Sequence, residues 1–126
     1  MSKKLMVVDD DPGILLSVKL IFEDKGYDVY TANSGKECIE ELKKGFKGVI
    51  LMDIMMPVMD GWDTIQEIVN QNLHEGNIIS MLTAKDVPDV KMNPLKEYVT
   101  DYLTKPFEAE DIIDTVDQYS EFLENQ

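Results

Sequence analysis

The sequence predicts an α/β protein built on one parallel sheet with helices on both faces. Three observations carry that prediction. Short apolar runs alternate five times with stretches of helical periodicity, which implies right-handed βαβ crossovers. The run Val49-Ile50-Leu51-Met52 has no polar interruption, as a strand buried on both faces requires, and it is placed in the middle of the sheet. Several of the strands stop on polar or charged residues, and in open α/β sheets the ligand crevice lies outside the carboxyl ends of the strands.

The elements follow in order. Leu5-Met6-Val7-Val8 is the first strand, and it runs into Asp9, Asp10 and Asp11. Asp11 is placed to cap a helix that has Pro12 at its first position, an apolar stripe of Ile14, Leu15, Val18, Ile21 and Phe22, and Gly26 at its end. Tyr27 to Ala32 alternates and carries β-branched and aromatic residues, so it reads as the second strand. Ser34 and Glu37 form a capping-box pattern for a helix with Cys38, Ile39 and Leu42 inward, closed by Gly45. The central strand, Gly48 to Met52, ends on Asp53, and Pro57 and Gly61 punctuate the loop beyond it.

Ile65, Ile68 and Val69 mark a third helix ending among Asn70, Gln71 and Asn72, with Trp62 read as half-exposed helix surface. Ile78 to Leu82 is a fourth buried strand that stops at Thr83. Pro88 and Pro94 interrupt the pattern over residues 85–98, which predicts a short or broken helix there, restarted with Asn93 as cap. Tyr102-Leu103-Thr104 is the last strand, ending on Lys105-Pro106. The last helix places Ile112, Ile113, Val116, Tyr119, Phe122 and Leu123 on one face and acids on the other.

Composition narrows the function. A chain of 126 residues reads as one domain. The net charge of −13 and the complete absence of arginine argue against nucleic acid or an anionic membrane as a direct partner. A lone cysteine excludes an internal disulfide, and no apolar stretch approaches a membrane span. A soluble cytoplasmic protein is expected. Cys38 is read as core filler, His74 as a solvated loop residue, and Met55, Met56 and Met59 as packing and rim residues.

Four strand ends hold chemistry: Asp9 with Asp10, Asp53, Thr83 and Lys105. Three carboxylates in one pocket need a cation to offset them, and few hard oxygen ligands suit Mg²⁺. A carboxylate can attack phosphorus to form an aspartyl phosphate. The phosphoryl oxygens then need a metal, a compact cation and a hydroxyl donor, which Asp10, Lys105 and Thr83 could supply.

The segments Val7-Val8-Asp9-Asp10, Leu51 to Gly61, Leu82-Thr83-Ala84 and Asp101 to Phe107 together span most of the chain. In their order and spacing the sequence resembles the receiver domain of two-component response regulators, in length a stand-alone, CheY-like one. The resemblance implies a flavodoxin-like, doubly wound five-stranded sheet of order 2-1-3-4-5 and a single receiver domain over residues 1–126 with no output domain. It implies that Asp53 is the phosphoacceptor, that Asp10 binds Mg²⁺ directly, that Asp9 does so through water, and that Asp53 and the backbone carbonyl of Met55 complete the metal ligands. It also implies that Thr83 bonds the phosphoryl group, that Lys105 pairs with it and precedes a cis proline bond, that Ala84 leaves the site open, and that Tyr102 changes rotamer with Thr83. Met55 and Lys85 match variable positions that border the path of the attacking water and tune the phosphoryl lifetime.

The implied partners are a sensor histidine kinase or phosphotransfer protein upstream and an unidentified protein downstream. The downstream protein would meet a surface of the fourth helix, last strand and last helix. Many relatives carry a regular fourth helix ending in a Gly-Ala pair, whereas this chain has two prolines and no glycine between Thr83 and Tyr102. Such a domain is no metabolic enzyme; it catalyses only its own phosphoryl transfer and self-dephosphorylation. A Mg²⁺-dependent phosphatase would need a proton-transferring carboxylate two residues after Asp53, where Met55 stands. A flavin protein of similar topology would need a phosphate-cradling loop where Asp9, Asp10 and Asp11 repel one. A pseudo-receiver is disfavoured because no site residue is missing.

Overall fold

Each apolar run of the sequence is a strand, and side-chain alternation along the strands builds two cores, one on each face of the sheet. The computed structural model describes residues 3–83 and 95–125. The strands are β1 (Lys3–Val8), β2 (Tyr27–Ala32), β3 (Val49–Asp53), β4 (Ile78–Thr83) and β5 (Asp101–Thr104). They form one five-stranded sheet in the order β2-β1-β3-β4-β5, and every pairing is parallel. Asp53 and Thr83 belong to their strands and do not merely follow them, because the β3–β4 ladder continues through Asp53 opposite Leu82 and the β4–β5 ladder through Thr83 opposite Thr104.

Met6, Val8, Ile50, Met52, Ile79 and Met81 point to the face covered by α2 (Gly35–Lys43) and α3 (Gly61–Asn70). Leu5, Val7, Val49, Leu51 and Leu82 point to the other face, covered by α1 (Pro12–Asp24) and the last helix (Ala109–Glu124). The central strand β3 is buried at all five positions, as a strand covered on both faces must be. Cys38 is fully buried in the α2 core, and burial pushes its thiol up to about 12.

The starts of α1, α2 and α3 follow from short polar side chains. The Asp11 carboxylate accepts the Gly13 N–H at 2.8 Å with Pro12 next to it, and Gly26 follows the helix in the left-handed region at φ 87°. Ser34 Oγ accepts the Glu37 N–H at 3.2 Å, but the reciprocal bond to Glu37 comes from Asn33 N–H, one residue before the expected cap. Asp60 and Asp63 form a full capping box at α3, with an aspartate where glutamate is usual.

Three side chains depart from the sequence reading. Trp62 is 1% exposed, not half-exposed, because it shares the helical spacing of Ile65 and Val69 and turns inward with them. His74 is not simply solvated. Its Nδ1 is buried with no hydrogen-bond partner among the described residues, and its ring packs edge-on against Tyr98 at 5.1 Å. Phe122 lies off the inner face and is 59% exposed. The stripe through Ile112 and Val116 continues to Ser120, which packs against the Tyr27 hydroxyl at 3.1 Å.

A short 3₁₀ turn, Lys96–Tyr98, leads into β5. Ala84, Lys85, Pro88, Asn93 and Pro94, and with them most of the helix expected over 85–98, lie outside the described residues. No described helix is long and apolar enough to cross a membrane.

Candidate functional site

Because all strands run parallel, their carboxyl ends share one rim. The register sets Val8 beside Met52, Asp53 beside Leu82 and Thr83 beside Thr104, so Asp9, Asp53, Thr83 and Lys105 fall together. The rim is tied by backbone bonds: Asp9 N–H to Ala32 O at 3.1 Å, Ile54 N–H to Leu82 O at 3.1 Å, and Lys105 N–H to Thr83 O at 2.7 Å.

Asp9 is 1% exposed, and its two oxygens are separately engaged. Oδ1 accepts the Asp11 N–H at 2.9 Å, and Oδ2 accepts Lys105 Nζ at 2.8 Å. The same Nζ stands 3.4 Å from Asp53 Oδ1. Asp53 is buried and accepts a long bond, 3.4 Å, from the Met55 N–H. Burial, and after it the Asp9 charge, raise its carboxyl from an ordinary 3.8 to about 6, against the pull of Lys105 and the Met55 N–H. Burial works against the charge on Lys105, but the Asp9 hydrogen bond and the two aspartate charges outweigh it and raise the ammonium above its usual range.

Asp10 is exposed beside this pair. One oxygen from each of Asp9, Asp10 and Asp53 lies within 4.8 Å of the others. An all-carboxylate donor set of that size, open to water on the Asp10 side, fits a small hard divalent cation such as Mg²⁺. The crowding that raises Asp53 is also what a cation would relieve.

The loop after Asp53 is held close by glycine. A Cβ on Gly61 would stand 2.5 Å from the Asp53 carbonyl oxygen, so only glycine lets α3 begin against the strand end. Gly61 N–H also donates to Ile54 O at 2.8 Å. Between them, Val58 takes φ 68° in a three-residue turn closed by Met59 N–H to Pro57 O at 2.7 Å. Met55 and Val58 are exposed on this loop.

The structure therefore gathers Asp9, Asp10, Asp53 and Lys105, with Thr83 nearly buried on the same rim. The Lys105–Pro106 bond is cis. Tyr102 stands one strand position before Leu103 on the α3 side of β5, 39% exposed, its ring 6.3 Å from that of Trp62. Sequence reasoning missed two parts of the site. The Lys105–Asp9 ion pair leaves no trace in spacing, since the two are 96 residues apart. Trp62 was within reach, because its spacing to Ile65 and Val69 is helical.

A parallel 2-1-3-4-5 sheet with acids at the ends of its first and central strands and a lysine after the last defines the receiver class of α/β protein. The family model for the response regulator receiver domain matches residues 5–117, and the chain belongs to that family. It is 52% identical to a CheY-like response regulator receiver domain protein from Methanospirillum hungatei JF-1, with a TM-score of 0.94 and 98% of each chain covered. The response regulator TrrA from Thermotoga maritima, solved in complex with Mg²⁺ and BeF, is 26% identical with a TM-score of 0.78, covering 93% of this chain and 98% of that one. The alkaline phosphatase synthesis transcriptional regulatory protein PhoP of Bacillus subtilis (strain 168) is 36% identical over 112 residues, 89% of this chain and 46% of PhoP. The chain spans about half the length of that relative.

Proposed function

We propose that the 126 residues act as one receiver unit that takes a phosphoryl group on Asp53 from a histidine kinase or phosphotransfer protein and thereby switches a protein-interaction surface. One observation carries this reading. A buried carboxylate at the end of the central strand has an ammonium 3.4 Å away and two further carboxylates within 4.8 Å.

An Asp53 oxygen attacks phosphorus, the bond from phosphorus to the donor breaks, and the donor leaves with the bonding pair. Lys105, already beside Asp53, follows the developing charge on the phosphoryl oxygens, and the Thr83 hydroxyl donates to one of them. Asp10 and Asp53, with the Met55 carbonyl and, through water, Asp9, would hold Mg²⁺, which supplies charge neutralisation for the incoming phosphoryl group. The neighbour from Thermotoga maritima bound to Mg²⁺ and BeF supports that assignment. By sequence position, Met55 and Lys85, two residues beyond Asp53 and Thr83, are assigned to tuning the lifetime of the aspartyl phosphate.

Phosphorylation then draws Thr83 inward, and Tyr102 follows into the space it leaves, which changes the surface beside β5 and the last helix. Incubation with acetyl phosphate tests the reading. With Mg²⁺, intact mass should rise by one phosphoryl group; with chelator it should not. Equal uptake with and without Mg²⁺, or none at all, would overturn it.

A further inference from the structure

We infer that Trp62 is a positioning residue for the switch: its indole N–H is the hydrogen-bond donor that receives the Tyr102 hydroxyl when that ring turns inward. The inference deepens the receiver reading and rests on it. Trp62 is 1% exposed, in the same core cluster as Ile54, Met56, Met81 and Val99, and its Nε1 has no hydrogen-bond partner among the described residues. A buried indole N–H normally finds an acceptor, and leaving one unmade disfavours the state that leaves it so. The hydroxyl-bearing side chain in ring contact with it is Tyr102, centroids 6.3 Å apart and planes tilted by 46°.

Tyr102 is also able to move. It is 39% exposed on the edge strand β5. A change of χ1 carries the far end of a phenol through a wide arc, and the indole lies on its inner side. Trp62 cannot follow, because it occupies the first turn of α3, which the Asp60–Asp63 capping box and the Gly61 contact with Asp53 hold in place. The outward state thus leaves a buried donor unmet and the inward state satisfies it. A hydrogen bond made in only one of two states shifts their ratio by about tenfold. Trp62 biases the equilibrium inward, and the phosphoryl group completes the shift.

Trp62 is the single tryptophan of the chain, so its indole gives one ¹H–¹⁵N peak. The full chain is saturated with Mg²⁺ and beryllofluoride, with ¹⁹F spectra reporting the bound mimic. In the wild type the indole proton should move downfield on binding; in Tyr102→Phe it should stay where the unliganded protein has it. An indole peak that moves equally in Tyr102→Phe, or does not move in the wild type with the mimic bound, overturns the inference alone. Absence of any bound mimic overturns the Asp53 reading as well. Trp62→Phe keeps a ring but no donor and should weaken beryllofluoride binding by about tenfold, with no further loss when Tyr102→Phe is added. Additive losses would mean that the two rings act separately and would also overturn the inference. If Trp62→Phe fails to fold, the Tyr102→Phe indole spectrum decides.

Discussion

Asp53 is held where burial and the Asp9 charge both work against its ionisation and Lys105 offsets them only in part. The folded chain therefore holds the Asp53 proton more tightly than the unfolded chain, about 6 against 3.8. Below about pH 3 both states are mostly protonated and the site costs little; the penalty grows as pH rises through 3.8 and is nearly complete above about pH 6. Metal-free Asp53→Asn should thus be more stable than the wild type by about 1–3 kcal/mol at pH 8, with most of that advantage gone at pH 4. Denaturant unfolding in chelator at the two pH values measures this, and an equal difference at both would contradict it. Mg²⁺ should narrow the gap by stabilising the wild type more than the variant. Cys38, deep in the α2 core with its thiol near 12, should not react with a thiol reagent at neutral pH until the chain unfolds.

At the scale of elements, the loop from Asp53 to α3 combines a rigid frame with local strain. The Gly61 approach and the Asp60–Asp63 box fix where the helix starts, while Val58 holds a positive φ that β-branched residues resist. Val58 is fully exposed, so replacing it removes no packing. Val58→Gly should raise stability by about 1 kcal/mol, read as a higher midpoint in thermal unfolding. A lower midpoint would mean that the turn is not strained. The helices themselves were legible from their caps and stripes, as Asp11, Ser34 and Gly26 illustrate. Legibility ended where one-dimensional spacing misplaced a face: Phe122 lost the inner position to Ser120, which Tyr27 recruits from β2.

For the whole molecule, the central strand carries both the core and the site. Ile50 is fully buried, and Ile50→Ala should cost about 2–5 kcal/mol by leaving a cavity. An unchanged unfolding midpoint would contradict a core centred on β3. The fold was readable because apolar runs and helical stripes alternate without a break, and the strand ends Asp9, Asp53, Thr83 and Lys105 were readable because each follows such a run. Their mutual contacts were not, since sheet order and register decide them: the Lys105 bond to Asp9 needs β1, β3, β4 and β5 side by side and the β4–β5 ladder extended through Lys105 N–H to Thr83 O.

Everything proposed for the site depends on Asp53 being the group that takes the phosphoryl. The most direct measurement is to phosphorylate the full chain with acetyl phosphate and Mg²⁺, trap the acyl phosphate with borohydride, and map the reduced residue by peptide mass spectrometry. Modification is expected at residue 53 alone, and none in Asp53→Asn. Trapping at Asp9 or Asp10, or undiminished trapping in Asp53→Asn, would contradict it.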